Sequence, residues 1–205
     1  MDGSNKKERI VIVDFGSQVT KLIARRIREL GVFSEVLNLR DLKKIKDFNQ
    51  IKGIILSGGP ATVTRKNFPT IPSRIFLLKI PILGICYGLQ IIAMNFGGKV
   101  KHGAKKREFG RTVLLKKNNS SLTKNFYKKN KNLVWMSHQD LVYKIPKSFK
   151  KIASTKESPL AIIENKSKKI YGIQFHPEVT HTENGKILIK NFIFSICKTK
   201  KKMEN

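Results

Sequence analysis

The chain has 205 residues, 40% of them hydrophobic and 27% charged, with 42 Lys and Arg against 14 Asp and Glu and a formal net charge of +28. That much apolar content excludes a disordered chain, and the length suits one α/β domain spanning 1–205. Glycine and proline follow no period, two cysteines cannot build a disulfide scaffold, and no apolar run reaches the roughly 20 residues of a membrane-spanning helix.

In chain order, Ile10, Val11, Ile12 and Val13 form an apolar run of strand length within Arg9–Phe15, ended by Gly16. Val19, Leu22, Ile23, Ile27 and Leu30 then recur at helical spacing, closed by Gly31. Residues 33–39 predict a second strand. Residues 53–56 predict a third, stopped by Ser57-Gly58-Gly59-Pro60. An amphipathic helix is expected over 70–79, a fourth strand over 81–85, and a helix over 88–96 closed by Gly97-Gly98. Continuous apolar runs of this kind fit strands covered on both faces, hence a mostly parallel sheet flanked by helices.

The C-terminal half changes character. Short additional strands are expected near 111–116, 132–136, 149–154, 159–164 and 169–175, with a solvated loop over 117–131 and a final amphipathic helix over about 183–197. The polar tail 198–205 lies beyond a core of about 9–197. The first residues lack the apolar core of a signal peptide, and the sparse cysteines fit a reducing compartment, so a cytoplasmic location is expected. The four histidines and two cysteines show no metal-ligand spacing, so no metal site is expected.

The charge raises a nucleic-acid reading, but its pattern weakens it. Only nine of the basic residues are Arg, the residue best suited to bidentate base and phosphate contacts, and the lysines are scattered through every polar stretch. A Lys-, Ile- and Asn-rich chain is what an AT-rich coding sequence produces. Non-specific polyanion binding at low salt still follows from the net charge, without specific nucleic-acid recognition.

The most informative stretch is Pro81-Ile82-Leu83-Gly84-Ile85-Cys86-Tyr87-Gly88-Leu89-Gln90. A buried strand runs straight into a helix through Gly-x-Cys-x-Gly, the nucleophile-elbow pattern with Cys as the nucleophile. Such a turn lifts the sulfur above the sheet edge. The helix N-terminus favours the thiolate, and the Tyr87 N–H points towards a developing oxyanion. A base is available in Phe175-His176-Pro177-Glu178: Pro177 keeps His176 extended, and two-residue spacing lets Glu178 orient the imidazole. The Gly58-Gly59 turn at a strand's C-terminal end supplies a further backbone donor, the Gly59 N–H, in the crevice where open α/β sheets bind substrates.

Together these residues resemble the triad (class I) glutamine amidotransferase family, the glutaminase modules of anthranilate, carbamoyl-phosphate, CTP and GMP synthesis. Asp14-Phe15-Gly16-Ser17-Gln18, Arg107-Glu108-Phe109-Gly110, Trp135-Met136-Ser137-His138-Gln139-Asp140 and His176-Pro177-Glu178-Val179-Thr180-His181-Thr182 narrow the resemblance to the glutaminase domains of GMP synthetases. The resemblance implies a flavodoxin-like fold, with Cys86, His176 and Glu178 as the catalytic triad. It also implies that Gly58, Gly59 and Tyr87 frame the oxyanion, while Gln90, Ser137, Gln139 and Asp140 lie at the ends of bound L-glutamine. It further implies that glutamine is hydrolysed to glutamate and ammonia through a Cys86 thioester. No cofactor is implied in this domain. ATP and Mg belong to an ATP-pyrophosphatase synthetase, on a separate chain or domain, that converts XMP to GMP.

The sequence departs from the family at Gln139, where a small glycine is common, and at Val19 and Ala61. His138 and His181 fall in matching stretches, where the resemblance leaves coupling to the partner open beside structural hydrogen bonding. His102 is expected to face solvent and Cys197 to pack in the core. Two other functions remain open: a free-standing cysteine hydrolase of the same fold, of γ-glutamyl hydrolase type, and a basic nucleic-acid-binding protein, which leaves the elbow unexplained.

Overall fold

The chain alternates strand and helix through its first half because apolar runs there alternate with amphipathic segments. In the computed structural model, which describes residues 7–103 and 108–201, β1 (Arg9–Val13) is followed by α1 (Thr20–Glu29), β2 (Ser34–Leu37), α2 (Leu39–Lys44), β3 (Ile51–Leu56), β4 (Ile82–Ile85) and α3 (Tyr87–Asn95). After these come β5 (Lys99–His102), β6 (Glu108–Lys116), β7 (Lys131–His138), β8 (Asp140–Lys144), β9 (Lys150–Ser154), β10 (Ile162–Asn165), β11 (Ile170–Ile173) and α4 (Gly185–Lys190). Helix α4 continues as π-helical turns over Asn191–Ile196.

Nine strands make one sheet in the order β2-β1-β3-β4-β11-β10-β9-β6-β7. The first five are mutually parallel, and β10, β9, β6 and β7 extend the sheet antiparallel. The parallel part has the flavodoxin-like arrangement, whose strand order switches between β1 and β3. Its strand β1 is apolar on both faces: Ile10 and Ile12 enter one core with Ile23 and Ile27 of α1, whereas Val11 and Val13 enter another with Leu89 and Ile92 of α3. A separate ribbon pairs β5 with β8.

Several expectations need correction. The helix expected over 70–79 is only a 3-10 turn, Ser73–Leu77. Pro72 caps it, Pro69 and Pro81 flank it, and Lys79 takes a positive φ of 56°, so a full helix has no room. The second strand stops at Leu37 because the Asn38 side chain accepts a hydrogen bond from the Asp41 N–H at 2.8 Å and starts α2, a helix the apolar pattern does not predict. The last helix begins at 185 rather than 183. Asn184 is left-handed, and the Glu183 N–H instead donates to Leu133 O at 2.9 Å along the edge of β7. Strand β5 is not predicted by the sequence because Lys99, Lys101 and His102 are exposed and leave no apolar alternation. Arg107 and the tail beyond 201 lie outside the described residues.

Candidate active site

Cys86 sits between β4 and α3 with φ 54° and ψ −105°, a conformation a non-glycine residue holds only when its surroundings enforce it. The flanking glycines supply the enforcement. A methyl group on Gly88 would run into the Leu56 carbonyl of β3, and one on Gly84 would meet the Gly88 backbone. The elbow is therefore pressed against the neighbouring strand, and only glycines permit the approach. Tyr87 is the first residue of α3, so its N–H has no partner within the helix and is free to serve a ligand. The Cys86 Sγ lies 3.7 Å from Ser137 O and 3.6 Å from Gln174 Nε2.

His176 reaches the sulfur from beyond β11. Its Nδ1 lies 2.8 Å from Glu178 Oε1, and both side chains are almost entirely buried. The pair forms as the motif predicts, but by a different route. The strand stops at Ile173, and Pro177 and Glu178 lie in a turn rather than in extended chain. That turn is pinned by the His176 N–H donating to Trp135 O at 3.0 Å and by the Thr182 hydroxyl donating to His176 O at 2.6 Å. Burial disfavours the charged imidazole, yet its contacts with the Cys86 thiol and the Glu178 carboxylate outweigh burial and raise its pKa to about 10. A ring with that proton affinity holds its proton at neutral pH, the state in which it has already accepted a proton and can hand it on.

Gly58 and Gly59 lie where β3 ends. Gly58 lies beside both His176 and Cys86, and a methyl group on it would sit 3.3 Å from His176 Cε1 and 3.7 Å from Cys86 Cβ. Gly59 has no room for a side chain because the Phe15 carbonyl occupies that space. The loop is braced by Ser57, whose Oγ accepts from the Phe15 N–H at 3.2 Å and donates to Gly58 O at 2.9 Å.

A cleft of about 770 Å³ opens above the sulfur, lined by Gly59, Cys86, Tyr87, Gln90, Ser137, Gln139 and Asp140 among others. It thus gathers the cysteine, Gly59, Tyr87 and the four residues expected at the ends of glutamine, whereas Gly58, His176 and Glu178 are not part of its lining. Gln90 Nε2 donates to Asp140 O at 3.1 Å, while Gln139 is exposed at the rim. A larger hollow, about 940 Å³, lies between the 119–130 loop and the β9–β10 region; it is rich in lysine and holds neither the cysteine nor the histidines.

The motifs do not foretell every neighbour. His102 is exposed as expected but also partnered: it stands on β5 with Nδ1 2.8 Å from Asp140 Oδ1, and the Thr62 hydroxyl donates to the other carboxylate oxygen. Gln174, beside the sulfur, and Thr182, beneath the triad turn, carry no independent sequence signal, since only the folded turn brings them in. His181 rests against the Trp135 ring at 4.6 Å. Cys197 packs in the core, where burial pushes its thiol pKa up. Among the described residues no cluster of three or more His, Cys, Asp or Glu could hold a metal ion, and no helix is long and apolar enough to cross a membrane.

The sequence profile of the class I glutamine amidotransferases matches residues 11–196. Among curated relatives, the GMP synthase [glutamine-hydrolyzing] of Brachyspira hyodysenteriae is 51% identical over 195 residues, covering 95% of this chain and 37% of that protein. The GMP synthase of Borreliella burgdorferi is 51% identical over 191 residues, with 93% and 37% covered. The chain thus spans a little over a third of the length of these relatives. Among solved structures, a Thermoplasma acidophilum protein provisionally described as a GMP synthase subunit superposes with a TM-score of 0.79 at 30% identity, covering 94% of both chains. The chain belongs to the class I glutamine amidotransferase family.

Proposed function

We propose that the chain is the glutaminase component of a GMP-forming synthetase. Cys86 Sγ attacks the side-chain amide carbon of L-glutamine, and His176 takes the thiol proton. The tetrahedral oxyanion is met by the N–H groups of Gly59 and Tyr87, with Gly58 leaving the path between base and sulfur open. His176 then returns the proton to the leaving nitrogen, ammonia departs, and a glutamyl thioester remains on Cys86. Water activated by the same imidazole cleaves it to glutamate. Glu178 holds the ring in register through Nδ1, so that Nε2 serves the reacting atoms. Gln90, Ser137, Gln139 and Asp140 flank the amino-acid end of the substrate.

The observation that carries this reading is the strained Cys86 facing a buried His176–Glu178 pair. The names of the full-length relatives support the further step, in which an ATP- and Mg-using synthetase domain or subunit takes the ammonia and converts XMP to GMP. No cofactor is assigned to this chain itself, and a cytoplasmic setting fits that role. A surface beside the cleft suits such a partner. Phe109, Val113 and Leu115 of β6 are exposed on one sheet face, and Phe109 also lines the cleft.

The test supplies a cognate synthetase, ATP, Mg and XMP, and follows glutamine-dependent GMP together with glutamate release. Wild-type chain should support both. Cys86→Ala should support neither with glutamine, yet leave GMP formation from added ammonia intact. Glutamate release without any stimulation of GMP formation would favour a free-standing hydrolase.

A further inference from the structure

Below the cleft wall lies a buried polar cluster that the triad does not use. Glu108 opens β6 and His138 closes β7, cross-strand partners in the sheet register. Their side chains are 4% and 1% exposed, and His138 Nε2 lies 3.1 Å from Glu108 Oε2. The Ser158 hydroxyl donates to Glu108 Oε2 at 2.5 Å, and the Thr155 hydroxyl donates to Oε1 at 2.6 Å. Two hydroxyl donors and one imidazole nitrogen thus converge on one carboxylate. Burial works against its ionisation, but these hydrogen bonds prevail and its pKa is lowered.

The other ring nitrogen of His138 points towards the cleft. Nδ1 donates to the backbone carbonyl of Asp140 at 2.9 Å. That same carbonyl accepts from Gln90 Nε2 on α3, so β7 and the elbow helix grip one atom from two sides. Next to His138 in the chain, Ser137 O lies against the Cys86 sulfur. The Asp140 carboxylate is fixed in turn by His102 and Thr62. Residues 137–140 therefore form a stretch of cleft wall whose distance from the nucleophile is set by hydrogen bonds that run back to Glu108.

We propose that Glu108 is a positioning residue for glutamine recognition, holding the Ser137–Asp140 wall at its working distance from Cys86 through the His138 imidazole. The inference rests on the glutaminase reading. It assigns Glu108 no contact with substrate and no part in proton transfer. A buried carboxylate in a merely structural role would set only the stability of the fold. As a positioning residue it also sets how well the wall receives the substrate, leaving the reactivity of the sulfur untouched.

The test compares the wild-type chain with Glu108→Ala, Glu108→Gln and Ser158→Ala in glutamate release, with folding checked by thermal denaturation. Glu108→Ala should raise KM for glutamine about tenfold with kcat within about twofold. Glu108→Gln, which keeps one acceptor oxygen, should recover part of that loss. Alkylation of Cys86 by iodoacetamide, which needs no glutamine recognition, should proceed at the wild-type rate in all three. If Glu108→Ala does not fold, Ser158→Ala, which removes one donor without stranding a charge, should still raise KM by a smaller factor. Calorimetric glutamine binding to Cys86→Ala chains with and without the Glu108 substitution makes the same comparison without turnover. Folded variants with wild-type KM and glutamine affinity would overturn the proposal, as would alkylation slowed in step with glutaminase. Wild-type chain showing no Cys86-dependent glutamate release would instead overturn the glutaminase reading, an outcome the calorimetry keeps separate.

Discussion

The two halves of the sheet contribute different things to the cleft. The parallel half, β1 to β4 with β11, places Cys86, Gly58, Gly59 and, just past its last strand, His176 and Glu178 around one point. Apart from the edge strand β2, its strands are packed on both faces, and the elbow strain is held by backbone contacts that glycine alone allows. The antiparallel half, with the β5–β8 ribbon, supplies the opposite wall: Ser137, Gln139, Asp140 and the groups bracing them. That wall is built from side-chain hydrogen bonds, which are weaker and more easily adjusted than strand packing. The proposed function therefore puts bond-making chemistry on the rigid half and substrate recognition on the adjustable one.

This division can be broken by substitution. The largest effects belong to the parallel half. Cys86→Ala should reduce glutamate release by at least about 10⁴-fold. His176→Ala should cost about 10²–10⁴-fold in kcat, the usual worth of a positioned base. Glu178→Gln should cost less than His176→Ala, because orienting a ring matters less than accepting its proton. An equal or greater loss at Glu178 would contradict these roles. In the antiparallel wall, Asp140→Asn should weaken the contact with His102 and raise KM for glutamine several-fold while changing kcat little. A fall in kcat as large as that of His176→Ala would erase the distinction between the halves.

A separate expected effect is on the pH dependence of stability. His176 ordinarily titrates near 6.5 and in the folded chain near 10, so the folded state binds this proton more tightly than the unfolded state. Its contribution is complete below about pH 6.5, declines as pH rises, and is gone above about pH 10. Thermal midpoints should fall across that window for wild type and fall less steeply for Cys86→Ala, where the sulfur contact is missing. Identical slopes would mean that the thiol plays no part in raising the imidazole.

How far the sequence reveals this arrangement follows from the same physics. The parallel half is legible because its strands are unbroken apolar runs and its elbow needs Gly84, Cys86 and Gly88 at fixed spacing. The triad turn is legible as a motif but not as a shape, since extended chain and tight turn can both bring Glu178 to His176 and only tertiary hydrogen bonds from Trp135 and Thr182 select the turn. The opposite wall is least legible. Strand β5 is too polar to announce itself, and His102 reads as a surface residue because only the β5–β8 pairing places Asp140 beside it. Glu108 carries no signal of its own within its motif because its partners, His138, Thr155 and Ser158, lie on segments far apart in the chain.

The account turns on a covalent bond between glutamine and one sulfur. The most direct measurement quenches wild-type chain with acid during glutamine turnover, in the presence of the proposed synthetase partner, and maps adducts by peptide mass spectrometry. The account predicts a single glutamyl group on the peptide containing Cys86, absent without glutamine and absent in Cys86→Ala. Sustained glutamate release by the Cys86→Ala chain, or a glutamyl adduct confined to Cys197, would contradict it.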